Sequence, residues 1–187
     1  MDAMLNPHPA QDGLSCHIAC EHLAVRSRRI EADAVDRLID DAFGPGRYAK
    51  TAERLREGNR AVADLSLVAV GSEVLLGAVR VWPVQISGTL GYFLGPIAVA
   101  PSARRNGVGQ ALVREALTRA THLGQGAGFM LLVGEGSFFG PLGFEVVPAG
   151  VTLPGPVAAH RVFWTQLTTD EISSLRGQVR VFSVERG

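Results

Sequence analysis

The chain lacks any run of about 18 uninterrupted apolar residues, the length that a membrane-crossing helix needs, and it lacks excess charge of either sign. Eighteen basic residues balance eighteen acidic ones, so no overall field would draw it to nucleic acid or an anionic membrane. Any anion that it binds must be held by local geometry. Met-Asp-Ala-Met-Leu-Asn-Pro-His-Pro at the start carries neither the basic segment nor the apolar core of a secretory signal, and a cytoplasmic protein is expected. Cysteine is nearly absent: Cys16 and Cys20 are the only two, four residues apart with His17 and His22 close by. A structural zinc site usually takes paired ligands from two separated segments. No second pair follows, so no metal is expected and both thiols read as reduced.

What is present is apolar sequence in quantity. At 47% apolar and 19% charged over 187 residues, the chain can bury a real core but is short for two full domains. Residues 1–20 carry no apolar period and are punctuated by Pro7, Pro9 and Gly13, as an irregular arm would be; residues 21–187 form the folded unit. Leu23, Val25 and Ile30 suggest a short strand. Val35, Leu38, Ile39, Ala42 and Phe43 follow at the spacing of one helical face, and Gly44-Pro45-Gly46 ends that helix. A second, weaker helical stretch runs from about Arg47 to Arg56 before Gly58 and Asn59.

From Ser66 the period becomes that of strands. Leu67 to Val70, Val74 to Ile86 and Thr89 to Val99, joined by tight turns at 71–73 and 87–88, predict an antiparallel meander. A helix is expected over Val108 to His122, with Ala111, Leu112, Ala116 and Ala120 toward the sheet and Arg114, Glu115 and Arg119 away from it. Phe129 to Val133 is a continuous apolar run, as in a strand covered on both faces. Strand, helix and strand in this order imply a parallel crossover that makes 89–99 and 129–133 neighbours. Further on come a Gly143 to Val147 segment, a proline-rich loop through Leu153-Pro154-Gly155-Pro156, a strand near Arg161 to Leu167, a short helix capped by Thr169 and a last strand from Val179. The fold class expected is α/β with a mixed, mostly antiparallel central sheet flanked by helices.

The stretch from Leu94 to Leu112 is the most informative, since it runs strand, turn, helix. Gly107 and Gly109 lack Cβ, so the backbone there can take positive φ or lie close to a ligand, and the N–H groups opening the helix have no partners within it. Such a turn suits an anion. A helix dipole contributes only about 0.3–1 kcal/mol where micromolar affinity needs about 8 kcal/mol, so the ligand must touch more than the loop. A diphosphate could take several N–H groups together with Arg104 or Arg105, while a peptide-like arm such as pantetheine pairs with the strand edge beyond Pro96. A Rossmann fingerprint is a poor match because Leu112 stands at its third glycine, and no Gly-Lys-Ser/Thr is present for a P-loop. Glycines that only shape a connection remain the bland alternative.

Arg104-x-x-Gly107-x-Gly109 resembles the Gln/Arg-x-x-Gly-x-Gly/Ala acetyl-CoA signature of the GNAT superfamily of N-acetyltransferases. Gly95-Pro96-Ile97-Ala98-Val99-Ala100-Pro101 resembles that family's fourth strand and Leu142-Gly143-Phe144 its later Gly-Phe turn. With Ile39 to Gly44 and Leu153 to Pro156 included, the chain is most similar to the YhbS-like branch. The resemblance implies a GNAT fold with a splayed parallel strand pair, and acetyl-CoA as cosubstrate lying in the splay. Ile97, Ala98 and Val99 would lie beside the pantetheine and acetyl group, with a backbone N–H of Ile97 or Ala98 polarising the carbonyl. Arg104, Arg105, Asn106, Gly107, Val108, Gly109 and Gln110 would hold the pyrophosphate.

The acceptor implied is a primary amine of a small molecule or peptide, attacking the thioester directly; a homodimer is left open. Many family members carry a carboxylate on the fourth strand, but Leu90 to Val99 contains no acid, and Glu135 is the nearest candidate base. Many also carry a tyrosine four residues before the Gly-Phe pair; here that position is Phe139. Ser137 or water is the candidate to protonate the thiolate in its place, and Tyr92 is read either as facing the cleft or as core. A binding module that holds acyl-CoA with little turnover is the competing reading, and a nucleotide-binding protein a weaker third. The acceptor pocket is expected from the first two helices, the 83–91 region and the C-terminal loops.

Overall fold

A computed structural model of the chain describes residues 24–27, 32–45, 51–72, 74–169 and 172–182. The expected N-terminal arm, with Cys16 and Cys20, lies outside the described residues. Strand β1 (Ala24–Ser27) leads to helix α1 (Ala32–Phe43), in which Val35 and Ile39 are buried, one turn apart as the sequence period requires. Gly44 at φ 65 ends α1, with its N–H on the Asp40 carbonyl at 2.8 Å, the left-handed stop that glycine adopts without a Cβ penalty. Of the second helical stretch expected at 47–56, Thr51–Leu55 forms a short 3-10 turn, and residues 46–50 lie outside the description.

β2 (Leu67–Gly71), β3 (Val74–Ile86) and β4 (Thr89–Val99) form the expected meander. Helix α2 (Val108–His122) crosses over to β5 (Phe129–Val133), which lies parallel to β4. After β5 come the one-turn helix α3 (Gly136–Phe139), β6 (Glu145–Val146), β7 (Val151–Thr152), β8 (Val162–Gln166), β9 (Gly177–Gln178) and β10 (Arg180–Val181). The main sheet runs β1-β2-β3-β4-β5-β8-β6, with β10 added to β3, and β7 pairs with β9 in a separate small ladder. Apart from β4 with β5, every pair in the main sheet is antiparallel. No helix among the described residues is long and apolar enough to cross a membrane.

Alternation along the strands divides the core between two faces. Helix α2 packs on Val79 and Val81 of β3, Tyr92 and Leu94 of β4 and Met130 and Leu132 of β5. The opposite face carries Trp82, Val84, Phe93, Phe129, Leu131 and Trp164, covered by the 51–55 turn and the C-terminal segments, while α1 covers Val68, Val70, Ala78 and Ala98 beside it. Phe129 and Leu131 thus sit on one face and Met130 and Leu132 on the other, which explains the uninterrupted apolar run. In α2 the buried residues include Leu112, Val113, Ala116 and Ala120; Val113 takes the place expected for Ala111, which is only half-buried. Full burial of a side chain such as Leu112 contributes about 1.5–3 kcal/mol.

Later elements differ in part from expectation. The Gly143 to Val147 segment gives a strand of only two residues, β6. The helix expected after Thr169 would open on residues 170–171, which lie outside the described residues; from Ile172 the chain forms a turn, in which the Leu175 N–H donates to the Ile172 carbonyl at 2.9 Å. The last strand is Arg180–Val181, laid against Val84 and Gln85 of β3.

Candidate functional site

β4 and β5 are hydrogen-bonded only from Gly91 to Phe93 against Phe129 to Leu131, and beyond those residues the strands part. The parting coincides with a bulge. Val79 of β3 pairs with Ile97, yet Val81 pairs with Leu94, so Gly95 and Pro96 together stand opposite Arg80 and bend β4. Gly95 sits at φ 131, a conformation that side chains rarely adopt. Its carbonyl accepts the Trp82 indole N–H at 2.7 Å.

The bulge also decides which polar groups look into the opening. The Ala100 N–H donates to the Leu76 carbonyl at 2.9 Å, and Ala98, two residues earlier and paired with Ala78, faces β3 in the same way. By the alternation of an antiparallel ladder, Ile97 and Val99 turn their N–H and C=O groups to the other edge, which β5 has left. Arg104 Nε donates to the Val99 carbonyl at 3.3 Å across that edge.

The turn into α2 follows directly. Arg105 lies at φ 66 and Gly107 at φ 76, two left-handed residues that curl the backbone before Val108 begins the helix. The first N–H groups of α2 have no partners within it. A Cβ at Gly107 would meet no atom within 4 Å, so this residue borders open space and is glycine for its backbone angle. Gly109 is glycine for closeness: a Cβ there would lie 3.3 Å from Phe138 Cζ and 3.6 Å from Val99 Cγ2. Helix α2 therefore seats against both β4 and α3.

Edge and turn border one cleft of about 1090 Å³. On the α2 face it is lined by Ile97, Val99, Arg104, Arg105, Gly107, Gly109 and Gln110, with Phe138 and Phe139. Through the splay it reaches the opposite face, where Ala42, Phe43, Thr51, Ala52, Arg56 and Pro156 to Ala158 line it, with Arg161 and Glu135 also on the wall. Of the residues singled out in the sequence, Ile97, Ala98, Val99, Arg104, Arg105, Gly107, Val108, Gly109, Gln110 and Glu135 all border this cleft, while exposed Asn106 and Ser137 do not. Ala98 borders it, but its backbone polar groups belong to β3. Tyr92 is core: it is 1% exposed on the α2 face, its hydroxyl lies 3.2 Å from Gln125 Oε1, and burial pushes its phenol above the ordinary value.

Glu135 forms an ion pair with Arg161 at 2.9 Å, with side chains 70% and 47% exposed. Phe139, where a phenol was looked for, is 8% exposed and meets Phe138 and Phe144 edge-on at 4.8 and 5.8 Å between centroids. The 83–91 region, expected at the acceptor end, does not line the cleft; Phe93 is the first residue of β4 to do so. Sequence reasoning missed Arg56 and Arg161. The only local signal for Arg56 is its i,i+3 spacing from Glu53, to which it is ion-paired at 3.1 Å; its guanidinium lies 5.5 Å from the centroid of the Phe93 ring. Nothing in sequence couples Arg161 to Glu135.

The sequence from residue 32 to 137, more than half of the chain, matches the Acetyltransferase (GNAT) family. The fold is similar to YhbS, a GNAT family N-acetyltransferase from Escherichia coli solved in complex with CoA, at TM-score 0.72 and 24% identity over 86% of this chain and 90% of that one. It is also similar to a GNAT family acetyltransferase from Brucella melitensis solved with acetyl-CoA, at TM-score 0.61 and 24% identity over 87% of this chain and 97% of that one. Comparison with curated proteins finds no match. Strand order, the parting of β4 from β5, the turn into α2 and the family match agree: the chain belongs to the GNAT acetyltransferase family.

Proposed function

We propose that this protein transfers an acetyl group from acetyl-CoA to a primary amine of a small molecule or peptide, with both reactants held in the cleft at once. One observation carries the reading. The outward edge of Ile97 and Val99 meets the open N-terminus of α2 in a single cleft of about 1090 Å³. The residues suit the cosubstrate. Arg104, Arg105 and the N–H groups of Gly107 to Gln110 hold the pyrophosphate, where Gly107 leaves open space, with exposed Asn106 beside them. The free edge at Ile97 and Val99 pairs with the pantetheine amides. The structures of YhbS with CoA and of the Brucella melitensis relative with acetyl-CoA support this assignment.

In the reaction the amine nitrogen bonds to the thioester carbon, the C–S bond breaks and the proton leaves the nitrogen. The Ile97 N–H polarises the carbonyl, since Ala98 spends its own on β3. Much of the rate comes from holding the two reactants in one cleft. Glu135, exposed on the wall, keeps Arg161 on one carboxylate oxygen and takes the amine proton with the other. Water arriving past exposed Ser137 protonates the departing thiolate, whose ordinary pKa of about 8.5 lets it leave without a strong acid.

A second reading, a module that holds acyl-CoA with little turnover, is favoured by Phe139 at the position of the expected proton donor and by the absence of any acid from Leu90 to Val99. Thiol release from acetyl-CoA with a mixed set of amines separates the two. Release well above the hydrolysis blank is expected; none, with CoA bound, would establish the module. Stabilisation by ATP or NAD but not by CoA would remove both readings.

A further inference from the structure

We infer that the acceptor is a compact primary amine on an apolar body that carries no second charge, an inference that rests on the acetyl-transfer reading of this cleft. The turn that would hold the pyrophosphate lies on the α2 face, so the acceptor enters from the opposite face. Among the described residues, the apolar part of the wall there is Ala42, Phe43, Ala52, Pro156, Val157 and Ala158, contributed by α1, the 51–55 turn and the C-terminal loop.

The polar side chains among the described residues of that wall are engaged within the protein. Thr51 Oγ1 donates to the Pro156 carbonyl at 2.6 Å. Arg56 is paired with Glu53, which does not itself line the cleft, and the two side chains are only 12% and 16% exposed. Arg161 is paired with Glu135. An acceptor carboxylate could reach Arg56 only in competition with Glu53, and separating a part-buried pair from one side is unfavourable. A second ammonium gains nothing from Glu53, which does not line the cleft. An apolar body meets no such obstacle and gains by burial against the wall. Only the reacting nitrogen needs a polar partner, and Glu135 provides one at the solvent edge.

The same wall limits length. Besides the Thr51 tie, Arg54 Nη1 donates to the Pro154 carbonyl at 2.6 Å. These ties join segments 105 and 100 residues apart in sequence and close the wall against a chain running past it. A peptide would have to break them.

The test is steady-state thiol release by the full chain at saturating acetyl-CoA with isoamylamine, phenethylamine, putrescine, glutamate and a free tripeptide, alongside calorimetric titration of CoA. Isoamylamine and phenethylamine should exceed the other three by about tenfold or more in kcat/KM, equivalent to about 1.4 kcal/mol. With CoA bound, comparable use of putrescine, glutamate or the tripeptide overturns the inference, as does turnover of neither apolar amine. Failure to bind CoA would instead overturn the acetyl-transfer reading on which it rests. Ala158→Asp adds a carboxylate at an exposed position of the wall, where folding tolerates it. It should move the preference toward putrescine by several-fold while leaving the KM for acetyl-CoA unchanged, and an unaltered ratio would count against the inference.

Discussion

Phe139 marks where this chain departs from its family's pattern, and its surroundings show why the substitution is tolerated. The ring lies so close to β5 that a Cβ on Gly134 would fall 2.2 Å from Phe139 Cε2, and it is held edge-on between Phe138 and Phe144. A phenol on this ring changes chemistry more than packing. Phe139→Tyr is therefore expected to raise kcat for thiol release with little change in acetyl-CoA affinity. Positioned acids usually contribute about 10²–10⁴-fold, but a thiolate is already a fair leaving group, so a gain of about tenfold or less is expected; a pH–rate profile that stays unchanged would show that thiolate departure does not limit turnover.

Gly107 supports a sharper expectation at the same scale. Gly107→Glu places a carboxylate where the pyrophosphate would sit and forces a side chain to φ 76. The left-handed backbone costs about 1–2 kcal/mol, readable as a lower urea midpoint, whereas CoA affinity should fall by more than a hundredfold. Tyr92 belongs to stability rather than catalysis. Its phenol is raised above 10.0 by burial, so the folded state holds that proton more tightly than the unfolded state does. The contribution is present in full below about pH 10 and is lost as pH rises through the folded value. Tyr92→Phe should remove part of the alkaline loss in urea midpoints measured between pH 8 and 11, and cost about 0.5–1.5 kcal/mol at neutral pH through the lost Gln125 bond.

The elements that could be read from sequence are those whose cause is local. β3, β4, α2 and β5 lie where period and turn residues put them, because alternation, helical spacing and glycine positions act within a few residues. The α2 turn was legible for the same reason, since Arg104 to Gly109 carries its backbone angles and its charge in one stretch. The 51–59 and 154–156 segments are held instead by bonds between distant residues. Asn59 Nδ2 donates to the Pro83 carbonyl, and Thr51 and Arg54 hold the 154–156 loop. No window of sequence contains both partners, so two-residue strands and 3-10 turns appear where longer elements were expected, and the acceptor wall could not be assigned. The parting of β4 from β5 lies between these cases, since Gly95-Pro96 was visible but its bulge against Arg80 was not. These strands pair only from Gly91 to Phe93, and a Cβ on Gly91 would lie 2.4 Å from the fully buried Phe129 ring. Gly91→Ala should therefore cost about 1–3 kcal/mol of stability, measured by urea unfolding, by disturbing the parallel ladder of the main sheet that sets the splay.

Taken as a whole, the molecule joins a well-tied sheet to a wall attached mostly by side chains. β3 is hydrogen-bonded to both β2 and β4 and carries β10, while residues 51–59 reach it through the Asn59 side chain on the Pro83 carbonyl and are tied to 154–156 by single side-chain bonds from Thr51 and Arg54. Segments held in this way open at lower free energy than the central strands. In hydrogen exchange, amides of 51–59 and 153–161 should exchange well before those of β3, β4 and β5. CoA at about 100 times its dissociation constant should stabilise the native state by roughly 2.7 kcal/mol, a rise of roughly 5–10 °C in Tm for a domain of this size. The protection that it confers should be uneven, because it acts on one side of the sheet. Slowing is expected at 97–99 and 104–110, with little at 51–59, whose partners lie on the opposite face. Addition of an acceptor amine together with desulfo-CoA should then slow the 51–59 and 153–161 amides as well. Equal protection of both sides by CoA alone would mean that the two halves of the cleft close as one, and that the acceptor wall is built by the cosubstrate rather than by the Thr51 and Arg54 ties.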